Sequence, residues 1–442
     1  MTDLDHELIK RNASIRKIIN RSASFVINEG YSEDKLHIAK GYGCYVEDYS
    51  GRVYTDTTFG AGTHILGYGH KILAREAARQ FKEGSLFTVP TKYTYEVAGH
   101  LSGILPQFDR FVFCNSGSEA TMRAARVARA LTGRKKIAVF SGGWHGGNDL
   151  FLFEDDWGKG EKKPRPVLKS AGSPQELLKT ILMLPYNCEE AFELITKHKN
   201  ELAMVMIEPS QGSNPRDDMG PFLKKLRAIT KQYGIVLCFD EMITGFRIAL
   251  GGCQQHYGIE ADMATYGKTL GGGMPIGMIA GKKEVMDIIA GKETGKPVFM
   301  GGTFSANPLA MRTSRTLLEI LTKHKKTLYP YLNDQGSRMR KEVNDFCVAR
   351  QIPVHMIGIG SMSRLIFTDK PVKSRRDRDR LEAGQGLQNR FYLHLLLKEG
   401  IHVSTNRIIF VSWAHRKKDI AKIIKSICNS LEYFSSDLKK KS

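Results

Sequence analysis

Short apolar runs separated by small or acidic residues dominate the middle of this 442-residue chain. Phe111–Cys114, Ile137–Phe140, Ala203–Ile207 and Ile235–Phe239 are each a few residues long and end on polar positions. That is the pattern of strands buried on both faces. Helical stretches lie between some of them, including an Ala/Arg-rich segment from near Ser118 and another over Pro221 to Tyr233. Strand–helix alternation from about residue 65 to about 310 predicts an α/β domain. Its sheet should be mostly parallel and covered by helices, with chemistry at the strand carboxyl ends.

The two ends of the chain read differently. A polar helix is predicted over Leu8 to Ile19, and Gly43–Asp48 with Val53–Asp56, split by Ser50-Gly51, predict a hairpin. A long helix from about 306 to about 323 leads out of the α/β region. Beyond it, Ser361 to Phe367 and Arg407 to Val411 read as strands, and Gly386 to Lys398 and Lys418 to Leu431 as helices. The expected division is an N-terminal segment 1–65 joining a smaller domain, a large domain 66–310, and a C-terminal small domain 311–442 of α+β character. No internal repeat or low-complexity block occurs.

A hydrophobic share of 41% with 25% charged residues is ordinary for a globular protein. The amino terminus is acidic where a signal peptide would be basic, and no apolar run has transmembrane length. The cytoplasm is therefore the expected location. Seven scattered cysteines without a Cys-x-x-Cys pair argue against a disulfide framework or zinc, so no metal site is expected. The net charge of +20 is spread over separate clusters, Lys162–Arg165, Lys373–Arg380, Arg416–Lys418 and Lys439–Lys441. The second alternates with aspartate, and no aromatic residues interleave the clusters as base-stacking platforms. Neither nucleic acid nor membrane is an expected partner.

The chemistry concentrates at strand ends. Ile235–Phe239 runs into Asp240-Glu241, which delivers a carboxylate to the end of a buried strand. Downstream, Lys268 sits between small residues and the run Gly271-Gly272-Gly273, where backbone can be approached closely. A lysine amine paired with an aspartate suits a pyridoxal phosphate enzyme: the lysine forms the Schiff base and the aspartate keeps the pyridine nitrogen protonated. Asn115-Ser116-Gly117-Ser118-Glu119-Ala120, between a strand and a helix, reads either as a phosphate site or as a helix capped by Ser118. Trp144, in Trp144-His145-Gly146, reads either as a ring covering a cofactor or as a loop aromatic packed on the core. Glu208-Pro209 ends another strand, and Gly301–Pro308 is a small-residue turn carrying the Thr303 hydroxyl.

These segments, in this order, resemble the class III pyridoxal-phosphate-dependent aminotransferases from about residue 20 to the end. Within that family the sequence is most similar to the glutamate-1-semialdehyde aminomutase branch. The string Asp240-Glu241-Met242-Ile243-Thr244-Gly245-Phe246-Arg247 with a downstream Gly267-Lys268 is the most specific part. The resemblance implies the fold-type I architecture, with a smaller domain built from both chain ends. It implies pyridoxal 5'-phosphate as cofactor and a homodimer with shared active sites. Lys268 would carry the cofactor and move protons, and Asp240 would pair with the ring nitrogen. Ser116, Gly117 and Ser118 would bind the phosphate, Trp144 and His145 would contact the ring region, and Glu208 would brace it. Thr303 would reach the phosphate of the neighbouring subunit. The partners would be a small-molecule amino donor and a carbonyl acceptor.

The departures concern substrate. Where the aminomutase branch has an arginine for the substrate carboxylate, this chain has Ser24, with Arg21 displaced by three positions. Where that branch has a gating acid before its Ser-Leu-Ala-His segment, counting back from Ser412-Trp413-Ala414-His415 gives Arg407. Arg407, Ser24 and Phe59 are the expected substrate contacts. An asparagine usually near the cofactor's phenolic oxygen falls at Ser213 or Asn214. The leading expectation is intermolecular amino transfer to a small anionic carbonyl compound by a ping-pong mechanism. The alternative is glutamate-1-semialdehyde 2,1-aminomutase activity, with amino exchange inside one substrate.

Overall fold

The structure, a computed structural model, describes residues 3–11, 36–158, 163–382 and 384–440. The chain forms two compact units. The larger comprises residues 72–329 with 373–377, and the smaller 1–71, 330–372 and 378–442. The helix expected to stop near 323 runs over Pro308–Ala349, with Pro330 inside it.

The larger unit is organised on a sheet of seven strands among the described residues. In spatial order these are Arg110–Cys114, Gly277–Gly281, Met263–Gly267, Val236–Asp240, Leu202–Ile207, Lys136–Phe140 and Ile181–Leu184. Gly277–Gly281 runs antiparallel to both neighbours, and the other pairings are parallel. The mostly parallel expectation holds. Leu202–Ile207 and Val236–Asp240 are buried at every position, as strands covered on both faces must be. The antiparallel strand has the sequence Gly-Met-Ile-Ala-Gly; its terminal glycines gave no strand signal. Gly277 is required there, because a side chain would fall 2.1 Å from the Ser116 carbonyl oxygen.

Helix Gly117–Thr132 supplies Ala120, Ala124, Ala125, Val127 and Ala128 to the core cluster that includes Met204, Cys238, Met263 and Ile279. Its cap is Ser116, not Ser118. The Ser116 hydroxyl accepts from the Glu119 amide at 3.2 Å, while Glu119 accepts from the Asn115 and Ser116 amides, a reciprocal capping box.

The smaller unit contains the predicted hairpin as antiparallel strands Tyr45–Asp48 and Val53–Asp56, extended by Ile38–Tyr42 and, in parallel, by Ile401–His402. A second sheet orders His355–Ile359, Met362–Ile366 and Ile409–Phe410, and helices Gln385–Leu397 and Lys417–Tyr433 complete the unit. A helix at Asp3–Arg11 covers the first residues of the one expected over Leu8 to Ile19; the rest of that range, with Arg21 and Ser24, lies outside the described residues.

Asp56 organises this unit's interior. It is fully buried and accepts from the Thr58 and Phe59 amides, the Tyr68 hydroxyl and His402 Nδ1 at 3.1, 2.7, 2.9 and 2.8 Å. These bonds hold a turn in which Phe59, Gly60 and Ala61 have φ of 47°, 59° and 56°, a backbone region that costs energy for Phe and Ala. Burial works against the Asp56 charge. The His402 hydrogen bond and charge, with the two amides, outweigh it and hold the carboxyl below its usual range. Asp56→Asn should therefore destabilise the protein by about 3 kcal/mol, read as a lower denaturation midpoint in urea. The depressed folded pKa makes the wild-type contribution complete above the unfolded value of about 4 and lost as pH falls through the folded value. The difference between the two proteins should shrink in acid.

Candidate functional site

At the carboxyl edge of the large sheet, three buried ionisable groups converge. Asp240 is the last residue of its strand and 3% exposed. Its Oδ1 accepts from the Thr265 hydroxyl at 3.0 Å and the Met242 amide at 3.1 Å. Its Oδ2 lies 2.7 Å from His145 Nδ1, which leaves that oxygen room for another donor. Burial opposes protonation of His145, but the Asp240 hydrogen bond and charge, with Glu208, outweigh it and raise its pKa. The imidazole Nε2 is buried without a partner, and the Thr121 hydroxyl fixes the His145 carbonyl at 2.7 Å. His145 thus stands behind the carboxylate as its hydrogen-bond partner.

Glu208 accepts from the Trp144 amide at 2.8 Å and the Gly212 amide at 2.9 Å. Burial, helped by the Asp240 charge, raises its pKa against His145 and these two amides. The adjacent acid Glu241 belongs to different surroundings. It accepts from the Thr244 hydroxyl and the Cys253 and Gln254 amides, and burial pushes it up to about 7. Of the two neighbouring carboxylates, only Asp240 faces the other groups of the site.

Lys268 follows directly on strand Met263–Gly267 and opens a tight turn, with φ of 43°. Gly267 must be glycine, since a side chain would meet Met242 Sδ at 2.4 Å. Burial lowers the Lys268 pKa; Asp240 and then Glu208 oppose the shift, and Arg247 adds to it. No described residue accepts a hydrogen bond from the amine, so the site holds an unpaired amine within electrostatic reach of two carboxylates.

Around this centre the Glu119 cap leaves the Gly117 and Ser118 amides, the first two of their helix, uncommitted. The Ser118 hydroxyl accepts from the Gly147 amide at 2.9 Å. Trp144 is 52% exposed, with Lys169 Nζ 5.3 Å from its ring centroid, so it is not a core aromatic. Between the two positions left open, the Ser213 hydroxyl donates to the Gly142 carbonyl at 3.0 Å, whereas both amide atoms of fully buried Asn214 lack partners. A buried carboxylate, an unpaired amine, free helix-start amides and an orphaned carboxamide fit pyridoxal phosphate, which presents a ring nitrogen, an aldehyde, a phosphate and a phenolic oxygen.

Thr303 is exposed in the same unit, in a turn whose Gly301 carbonyl accepts from Arg123 at 2.9 Å. Phe59 and Arg407 belong to the smaller unit. Phe59 is fully buried, stacked on Tyr68 and edge-on to His415; packing, rather than an open ring face, accounts for it. Arg407 donates to the side-chain oxygens of Gln388 and Asn389. Thr265 had no sequence signal, because its role follows from pairing opposite Asp240 in the sheet.

The family model described as Aminotransferase class-III matches residues 26–431. A glutamate-1-semialdehyde 2,1-aminomutase of Methanobrevibacter smithii is 34% identical over 402 residues, covering 89% of this chain and 91% of that one. One from Persephonella marina is 36% identical over 398 residues, covering 88% and 89%. The crystal structure of an omega-transaminase from Sphaerobacter thermophilus superposes with a TM-score of 0.87 at 28% identity, covering 94% of this chain and 97% of that one.

The Lys268 environment makes a measurable expectation. In ligand-free protein the amine should lose its proton below the usual lysine range, because burial disfavours the cation. Asp240→Asn removes the charge that most opposes this, so the midpoint should fall further. Reductive methylation of the Lys268 peptide across a pH series, read by mass spectrometry, measures both; a midpoint matching exposed lysines would refute the assignment.

Proposed function

Because this chain belongs to the class III aminotransferases, which are pyridoxal phosphate enzymes, we propose that it transfers an amino group to a small anionic carbonyl compound by a ping-pong mechanism. The observation that carries the reading is Lys268 at the end of the strand next to that of Asp240, its amine without a hydrogen-bond acceptor among the described residues and interacting electrostatically with Asp240 and Glu208. When bound, pyridoxal phosphate supplies an electron-withdrawing ring that stabilises negative charge at the substrate carbon next to nitrogen.

The chain's residues divide the remaining work. Asp240 holds a proton on the ring nitrogen, and His145 orients and charge-balances that carboxylate from behind. The Gly117 and Ser118 amides, with the Ser116 turn, bind the phosphate. Trp144 would cover a face of the bound ring, Glu208 fixes the Trp144 and Gly212 backbone, and Asn214 would hold the phenolic oxygen. Lys268 carries the cofactor and, as a neutral amine, takes the proton from the substrate α-carbon and returns it. Burial lowers the lysine pKa, which favours the neutral, basic form.

The choice of an intermolecular reaction rests on Ser24 and Arg407, which change the charge pattern expected of the aminomutase branch. The likeness to an omega-transaminase at 28% identity also supports it. A second reading, intramolecular amino exchange in glutamate-1-semialdehyde, is favoured by the names of the relatives at 34% and 36% identity.

Product analysis separates the two. Amino transfer between molecules should require a separate amino donor and convert it stoichiometrically to its keto form. Rapid turnover of glutamate-1-semialdehyde with no donor added would overturn the first reading in favour of the second.

The assembly proposed is a homodimer in which Thr303 serves the partner subunit's cofactor phosphate. The exposed side chains of Phe299 at 72% and Phe304 at 56%, flanking that turn, support a covered surface there. Sedimentation at micromolar concentration should give a dimer, and Thr303→Ala should release the cofactor more readily on dilution. A stable monomer that retains the cofactor normally would rule the arrangement out.

A further inference from the structure

Two buried arginines in this protein are treated in opposite ways. Arg312, 2% exposed in the larger unit, is closed by Glu76 at 2.9 Å and Glu83 at 2.7 Å. The Glu83 and Glu76 hydrogen bonds raise its pKa although burial works against them. Arg364, 6% exposed on strand Met362–Ile366 of the smaller unit, has no carboxylate at ion-pair distance among the described residues. Its Nη1 donates to the Asn406 carbonyl at 2.6 Å, and its Nε is buried without an acceptor. Burial, then the neighbouring Arg378, depresses its pKa to about 10; Arg407 adds, while Tyr392 and Glu382 oppose.

The carboxylates nearby are committed elsewhere. Arg378 takes Asp379 at 2.5 Å and Glu382 at 3.5 Å, and Glu382 also accepts from the Phe367 amide at 3.2 Å. Arg407 is held only by neutral amides, those of Gln388 and Asn389, with its guanidinium carbon 5.5 Å from the Tyr392 ring centroid. The Tyr392 hydroxyl is itself buried without a partner. Burial pushes that phenol up to about 12 despite Arg364 and Arg407, so it remains a neutral donor. Arg364, Arg407 and Tyr392 are thus within electrostatic reach of one another, and the carboxylate that reaches them, Glu382, is paired with Arg378. A buried cation left unpaired is costly, and a ligand that pairs it offsets the cost.

We infer that Arg364, Arg407 and the Tyr392 hydroxyl form a binding site for a small oxyanion, a carboxylate or phosphate group. Guanidinium forks match the paired oxygens of either group, and the phenol adds a third donor. The Gln388 and Asn389 amides hold Arg407 in orientation without neutralising it. The oxyanion has two possible sources: the anionic end of the carbonyl substrate, which rests on the reaction proposed above, or a free inorganic anion.

Calorimetric titration of the holoenzyme with inorganic phosphate, and separately with succinate, tests the site without depending on turnover. At least one should bind saturably to the wild type. Arg364→Met should weaken that binding at least 100-fold, and Tyr392→Phe about tenfold, the loss of one hydrogen bond to a charged group. Tyr392→Phe keeps the ring and decides the matter if Arg364→Met does not fold. Absence of saturable binding to the wild type, or binding unchanged by Tyr392→Phe, overturns the proposal. Given binding, competition between the anion and the carbonyl substrate in the second half-reaction assigns the site to the substrate. Independent binding assigns it to a free anion. If the protein shows no amino transfer yet binds phosphate in this residue-dependent way, the reaction proposed above fails and the site stands.

Discussion

A carboxylate kept almost wholly out of water, and so in need of hydrogen-bond donors, is the constraint from which the large unit's site follows. Asp240 sits buried at the end of a central strand with donors around it: the Thr265 hydroxyl, the Met242 amide and His145. Each donor comes from a different place. Thr265 is its register partner on the next strand, Met242 is in the turn after it, and His145 comes from the loop after strand Lys136–Phe140. The sheet order is therefore a condition of the electrostatics. The carboxylate is satisfied only when the sheet sets Met263–Gly267 beside its strand and Lys136–Phe140 two strands away.

The same burial sets the character of the other groups. It raises the Glu208 pKa and lowers that of Lys268, so burial shifts the acid and the amine of one site in opposite directions. Placing groups of opposite tendency side by side is how proton transfer near neutral pH is arranged. Glu241 shows that proximity in sequence is insufficient. One residue from Asp240, it is enclosed by the Thr244 hydroxyl and the Cys253 and Gln254 amides.

The smaller unit uses buried charge in two further ways. Asp56 is saturated with donors and holds a strained turn at Phe59–Ala61. Arg364 is the reverse, a buried cation that donates to a carbonyl oxygen and has no carboxylate at ion-pair distance among the described residues. Since unpaired buried charge is expensive, the first reads as structure and the second as recognition.

Sequence alone determined the α/β class, the apolar strands and the segments that carry Asp240, Lys268 and Ser116–Ala120, since their signals are local: runs of buried residue types and small residues before a helix. It misassigned the cap to Ser118, because Ser116 and Ser118 are equally good capping residues and only the helix start separates them. It missed the antiparallel strand Gly277–Gly281, whose glycines answer to backbone packing against Ser116 rather than to strand propensity. It left Ser213 and Asn214 unresolved, and the unpartnered carboxamide of Asn214 distinguishes them. Nothing in the chain marked Arg364 or Tyr392, since an arginine in a strand looks the same whether a carboxylate faces it or not. Residue type and local order were legible in the sequence. Which buried charges found partners was decided by tertiary structure, because pairing depends on strand register and on contacts between residues remote along the chain.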